Sequence, residues 1–155
     1  MKLGFVSAIL PELSLEDVLA FAATEGFAVV ELMCWPVGRA DRRFAGVTHV
    51  DVAALTPASA EALRRQSHDR GVGISGLGYY PNMLDPDPDV ADVAVAQFRR
   101  VIDAAALLGI GTVNTFVGRD WHRTVDDNWP RFLDTWRPLL AHAAQAGVRV
   151  ALAKL

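Results

Sequence analysis

Four times along the chain an amphipathic stretch ends in glycine and a short run rich in β-branched residues follows. The junctions are Glu25-Gly26-Phe27-Ala28-Val29-Val30, Arg70-Gly71-Val72-Gly73-Ile74, Leu108-Gly109-Ile110-Gly111-Thr112-Val113 and Ala146-Gly147-Val148-Arg149-Val150. A glycine just past a helix end takes the left-handed backbone cheaply and stops the helix. An apolar run without polar alternation is the pattern of a strand buried on both faces. Leu3-Gly4-Phe5-Val6 has the same character and supplies the first strand. The predicted order is five strands alternating with four helices. Repeated βα units of right-handed sense either close into a barrel or are covered on both faces as an open sheet. Five strands in this order predict an α/β parallel half-barrel, a single domain over residues 1–155.

The helix starts are marked. Ser14 precedes Leu15, Val18, Leu19, Ala22 and Ala23 at helical spacing, with Asp17 at the third helical position. Thr56-Pro57 and Asp87-Pro88 pair a capping residue with a first-turn proline. The second helix has a thin apolar face around Ala60 and Leu63 and should be mostly exposed. The third has a long stripe of Val90, Ala94, Phe98, Val101, Ile102, Ala105 and Leu108. The fourth begins near Thr124 and carries Trp129, Phe132, Leu133, Trp136, Leu140 and Ala143. Pro138 removes one backbone donor and should kink that helix without ending it.

The connections are unequal. Returns from helix to strand are one or two residues. The segments leaving strands are long, roughly 33–55, 76–86 and 117–123. In parallel α/β folds chemistry gathers at the carboxyl ends of the strands. The chain places its length on that side.

Composition narrows the classes. A closed eight-stranded barrel takes about 250 residues, against 155 here. The hydrophobic share of 52% suits strands covered on both faces. A net charge of −3 carries no general attraction to nucleic acid. The one cysteine, Cys34, forms no internal disulfide, and the default is a reducing compartment. No apolar run approaches the about 20 residues of a membrane span, and the amino terminus, cut by Pro11 and Glu12, is a strand and not a leader. The expectation is a cytoplasmic protein with no membrane and no nucleic-acid partner.

Candidate chemistry lies after the strands. Glu31 should sit at the mouth of the second strand, able to bind a sugar hydroxyl or act as a base; the plainer reading pairs it with Arg39, Arg42 or Arg43. Trp35 either stacks on a ligand or caps the rim, and Cys34 is a small packed apolar residue. His49 either hydrogen-bonds a substrate or is structural. After the third strand, Gly76-Leu77-Gly78-Tyr79-Tyr80-Pro81-Asn82 offers close backbone approach and two flat amphipathic rings, as carbohydrate sites do, or a rigid turn with one buried tyrosine. After the fourth come Asn114 and Thr115, then Arg119, a bidentate donor for phosphate or carboxylate whose alternative is an ion pair with Asp120. No His, Cys, Asp or Glu cluster has metal-ligand spacing, and neither a nucleophile elbow nor a phosphate loop is present.

Glu31-Leu32-Met33-Cys34-Trp35-Pro36, Arg42-Arg43-Phe44-Ala45-Gly46-Val47-Thr48-His49, the Gly76–Asn82 run, Asn114-Thr115-Phe116-Val117-Gly118-Arg119-Asp120 and Asp103–Gly109 together resemble the sugar phosphate isomerase/epimerase family with the xylose-isomerase-like barrel. The resemblance is to the amino-terminal half of that family. It implies a divalent metal such as Mn²⁺ or Mg²⁺ in the full-length family, held by carboxylates and a histidine on the later strands. The first such ligand is a Glu at the end of the fifth strand. Here Val148-Arg149-Val150-Ala151-Leu152 is followed by Ala153, so no metal ligand and no catalytic residue carries over. What the resemblance leaves is a weak substrate-binding set: Glu31, Trp35, His49, Tyr79, Asn114 and Arg119.

Three functions stand as expectations. The first is a fragment of a metal-dependent sugar (phosphate) isomerase or epimerase, inactive alone, with a small sugar as possible ligand. The second is a non-catalytic half-barrel that self-associates, as a homodimer or larger, through its open sheet edges. The third, an open flavodoxin-like sheet binding a phosphate ligand, needs the first strand between the second and third and a glycine-bearing phosphate loop after it. Ser7–Leu13 has no glycine.

Overall fold

The computed structural model describes residues 1–38 and 45–153. The elements adopt the predicted order: β1 (Gly4–Val6), α1 (Leu15–Thr24), β2 (Val29–Met33), α2 (Pro57–Asp69), β3 (Gly73–Gly78), α3 (Pro88–Leu108), β4 (Thr112–Phe116), α4 (Val125–Gln145) and β5 (Arg149–Ala153). A single 3-10 turn, Ser7–Ile9, comes directly after β1. The caps are those the sequence marks. Ser14 and Thr124 accept from the backbone N–H of Asp17 and Asp127, and Thr56 forms a reciprocal box with Ser59.

One parallel sheet joins the strands in the order β1-β2-β3-β4-β5. This sequential order excludes the open flavodoxin-like arrangement, which places β1 between later strands. It is half of a (βα) barrel. Alternation along the strands sorts residues between two faces. Val30, Leu32, Leu77 and Val113, all fully buried, face the helices. There they meet Leu19 from α1, Phe98, Val101 and Ile102 from α3, and Trp136 and Leu139 from α4 in one continuous core. The opposite face carries Glu31 and Asn114 and is only half covered.

The register has one irregularity. Val30 pairs with Ile74, but Glu31 pairs with Gly76, so Ser75 is an extra residue in β3. A bulge of this kind re-aims the side chains beyond it. Here it sets Leu77 beside Leu32 on the helix side and Gly78 beside Met33 on the other.

α4 runs through both Pro138 and Pro130, the latter in its second turn. Its buried line is Trp136, Leu139 and Ala143, while Trp129 and Leu140 are about half exposed. The apolar stripe read from the sequence is thus wider than the face that packs on this sheet. The same holds at the start of α3, where Val90 and Val93 project into solvent. Among the described residues no helix is long and apolar enough to cross a membrane.

Candidate functional site

The open face of β2, β3 and β4 brings three side chains together, Glu31 and Asn114 from the middle of their strands and not from the strand mouth where Glu31 was expected. Glu31 comes from β2, Asn114 from β4 and Tyr80 from just past β3. The Tyr80 hydroxyl donates to Glu31 Oε1 at 2.5 Å, and Asn114 Nδ2 donates to Glu31 Oε2 at 2.8 Å. β2 and β4 are two strands apart in the sheet, and these partners meet only because the strand between them is bare. A Cβ on Gly76 would lie 2.7 Å from Asn114 Nδ2 and 3.2 Å from the Thr112 carbonyl. One on Gly78 would enter van der Waals overlap with Glu31 Oε1 and stand 3.0 Å from both Met33 Sδ and Tyr80 Cε2. Glycine at these positions leaves the trough in which the carboxylate and the amide lie across β3.

The electrostatics are set by this enclosure. Burial raises the Glu31 pKa, and the hydrogen bonds from Tyr80 and Asn114 act against it without cancelling it. The Tyr80 phenol is pushed up by burial, reinforced by its bond to Glu31 and that group's negative charge. Glu31 is therefore a carboxylate of raised basicity with each oxygen already receiving one hydrogen bond and one side turned to the open face. Such a group can accept a hydroxyl donor, and the Asn114 amide that holds it carries an acceptor oxygen of its own.

The other predicted residues fall elsewhere. Trp35 and Tyr79 meet edge to face, ring centroids 4.9 Å apart, on the helix side of the mouth. Together they line a neighbouring cleft. His49 is buried at the fold-back of the β2 loop, its ring nitrogens making no hydrogen bond of good geometry, with the Leu10 and Leu13 carbonyls its nearest acceptors. That fold-back is held by a Cys34–Thr48 bridge and a bond from the Thr48 hydroxyl to the Trp35 carbonyl. Burial lowers the His49 pKa, outweighing the Leu10 and Leu13 carbonyls, which favour the proton. Arg119 is exposed, and its backbone, not its guanidinium, is the anchored part: Asn82 accepts from its N–H and donates to its carbonyl. Asp120 takes Arg123 at 3.2 Å as its ion-pair partner in place of Arg119. The arginines suggested as partners of Glu31 (Arg39, Arg42 and Arg43) lie outside the described residues. Cys34 is buried and its thiol is pushed up, as a packed apolar residue requires.

Tyr80, and not Tyr79, is the tyrosine that reaches Glu31. The signal was present as period-two alternation. Gly76, Gly78 and Tyr80 share one face, so the two glycines and this ring belong to the Glu31 side.

A family model described as the xylose isomerase-like TIM barrel matches residues 19–153. The chain belongs to this family. A search among curated proteins returns no match. Solved structures of the same fold include D-psicose 3-epimerase with D-tagatose from Clostridium cellulolyticum H10, with TM-score 0.69 and 18% identity over 98% of this chain and 52% of that one. They also include a xylose isomerase domain protein from Planctomyces limnophilus, with TM-score 0.68 and 16% identity over 97% and 53%. A third is the IOLI protein with a bound zinc atom, with TM-score 0.69 and 15% identity over 98% and 51%. The chain spans about half the length of each of these structures.

The residues present do not fit a divalent metal on their own. Among the described residues no three His, Cys, Asp or Glu side chains gather as ligands. Glu31 is a lone carboxylate whose oxygens are held by neutral donors, whereas Mg²⁺ and Mn²⁺ centres collect several oxygen ligands.

Proposed function

We propose that this chain forms the substrate-facing amino-terminal half of a sugar isomerase or epimerase barrel. In this reading Glu31 and Asn114 receive sugar hydroxyls. The observation that carries it is the Glu31 carboxylate suspended between Tyr80 and Asn114 on the open face of three adjacent strands. A vicinal diol presents hydroxyls that both donate and accept, and the Glu31 carboxylate and the Asn114 amide on one face present groups of both kinds.

The reading assigns binding, not turnover, to this chain alone. Moving a proton between adjacent sugar carbons needs a base, a second proton carrier and a group that stabilises the enediolate charge. Among the described residues the open face supplies one carboxylate, one amide and the Tyr80 phenol, whose proton burial and the Glu31 charge hold in place, and no cation beside Glu31 to stabilise the enediolate. Purified chain with D-fructose or D-tagatose and added Mn²⁺ or Mg²⁺ should bind sugar, seen as a thermal shift lost in Glu31→Gln, with no epimerisation by NMR. Metal-dependent epimerisation by this chain would refute the reading, and so would a thermal shift that Glu31→Gln leaves intact.

A second reading rests on a separate observation. Leu3, Val6 and Ile9 at the β1 side and Leu152 in β5 are exposed apolar residues at the two sheet edges. A half-barrel whose role is self-association would cover them with a second copy.

A further inference from the structure

The open face of the sheet carries two opposite charges that one copy does not bring together. Glu31 stands in β2 with its oxygens held by the neutral donors Tyr80 and Asn114. A carboxylate accepts about four hydrogen bonds, so about two of its sites stay open. Arg149 stands on the same face in β5. It pairs in register with Thr112, which shares its side of β4 with Asn114. Its guanidinium reaches the Thr112 hydroxyl at 3.5 Å, a long contact, and among the described residues it meets no carboxylate. β2 and β5 are three strands apart in the sheet, about 14 Å at the usual spacing, which keeps Arg149 from its own Glu31.

Apolar side chains flank this face at both edges of the sheet. At β1, Leu3 and Val6 are exposed. At β5, Leu152 is exposed, and so are Trp129 and Leu140 of α4. Arg131 and His142 of that helix bond Asp85 and Asp103 on the α3 side. Trp129 and Leu140 each stand two residues before one of these, about 200° round the helix, and so face away from α3, toward the β5 side.

We propose that a second copy closes this face about a two-fold axis, β5 of each copy beside β1 of the other, and that Arg149 of each bonds the partner's Glu31. The proposal rests on the self-association reading and names its seam. Parallel pairing of β5 with β1 leaves the two charged groups two strands apart. That is the separation Glu31 and Asn114 already bridge within one copy. The strand between them is bare at Gly4, which shares its face with Val6, the register partner of Glu31. A β5-to-β5 seam would leave the groups four strands apart. Two identical β5-to-β1 seams form at once, so the assembly closes as a dimer. Each copy then contributes the cation that the other lacks beside Glu31, and a planar guanidinium suits the acceptor sites still open on the carboxylate.

The test is sedimentation equilibrium of the full chain at micromolar concentration, without sugar. Wild type should have the mass of a dimer. Arg149→Ala should raise the dimer dissociation constant about a hundredfold, two lost charged bonds at about tenfold each. Arg149→Glu and Glu31→Lys should each be monomeric, and an equimolar mixture should recover the dimer, because each seam then holds one opposite pair. A pair formed within one chain would not be restored by mixing. Circular dichroism checks that both variants fold; if Glu31→Lys does not, Arg149→Ala decides alone, since Arg149 is exposed and outside the core. A monomeric wild type removes self-association and the proposal with it. A wild-type dimer that Arg149→Ala leaves equally tight, or a mixture of two folded variants that stays monomeric, overturns the seam while self-association stands.

Discussion

The glycine trough makes a sharp prediction at Gly78. Its φ is not in the left-handed region, so alanine fits the backbone there and the penalty comes only from space. The added Cβ overlaps Glu31 Oε1 and presses Met33 Sδ and the Tyr80 ring at 3.0 Å. Glu31 yields first, because its carboxylate is the end of a flexible chain. It swings toward the open face and loses the Tyr80 bond, a bond to a charged group worth about 1.5–3 kcal/mol when buried. Half-exposure lets water replace part of that. Alanine also gains about 0.4–1 kcal/mol by restricting the unfolded chain. The net expectation for Gly78→Ala is a loss of about 1–2 kcal/mol, or a fall in Tm of about 2–8 °C for a domain of this size. Gly111 is the control. It has no positive φ and nothing within 4 Å of its Cβ position, so Gly111→Ala should gain about 0.4–1 kcal/mol. Urea unfolding gives both values. In a Glu31→Ala background the Gly78→Ala penalty should shrink to the part owed to Met33 and Tyr80, because the atom it strikes hardest is gone. A Gly78→Ala protein as stable as wild type, or an undiminished penalty in the double variant, would refute the trough.

Two further outcomes concern groups outside that trough. His49 is buried and burial depresses its pKa despite the Leu10 and Leu13 carbonyls, so the unfolded chain takes up its proton first as pH falls. Stability should therefore drop as pH falls through the unfolded value of about 6.5; His49→Leu should flatten that dependence and be neutral or stabilising at pH 7, and a wild-type profile identical to the variant's would sink the assignment. Light scattering at micromolar concentration should give the mass of a dimer or larger, since Leu3, Val6, Ile9 and Leu152 are exposed at the sheet edges; a clean monomer removes the self-association reading.

Much of the fold was legible because each signal was local. Caps at Ser14, Thr56, Asp87 and Thr124 and the glycine stop at Gly109 act within a turn of where they stand. The site was harder. Glu31 and Asn114 were legible as polar residues among apolar strand positions, though they lie mid-strand and not at the strand ends. Their contact was not, because it depends on the Ser75 bulge and on two side chains that are absent, Gly76 and Gly78. His49 and Arg119 were reasonable from residue type, but loop path decides them. The Cys34–Thr48 bridge turns His49 inward, and Asn82 holds the Arg119 backbone while its side chain stays outside. Apolar stripes misled at helix ends, where Val90 and Trp129 extend beyond the sheet that would bury them.

Tyr79 and Tyr80 divide the mouth. The Tyr79 backbone N–H still bonds the Asn114 carbonyl, so strand geometry persists to this pair and its neighbouring side chains leave on opposite faces. Tyr79 packs on Trp35; Tyr80 donates to Glu31. Removing one hydroxyl should thus be felt on one side only. The Tyr80 bond lowers the Glu31 pKa against the larger effect of burial. In Tyr80→Phe that support is gone, burial acts with less opposition, and the Glu31 pKa should rise further above its ordinary value. Tyr79→Phe should leave it where it is in wild type, because Tyr79 makes no bond to the carboxylate. A ¹³C titration of the Glu31 carboxyl reads both. If Tyr80→Phe left the titration unmoved or shifted it down, Glu31 would be tuned by solvent alone. If Tyr79→Phe shifted it equally, the two tyrosines would form one site, and the division of the mouth would fail.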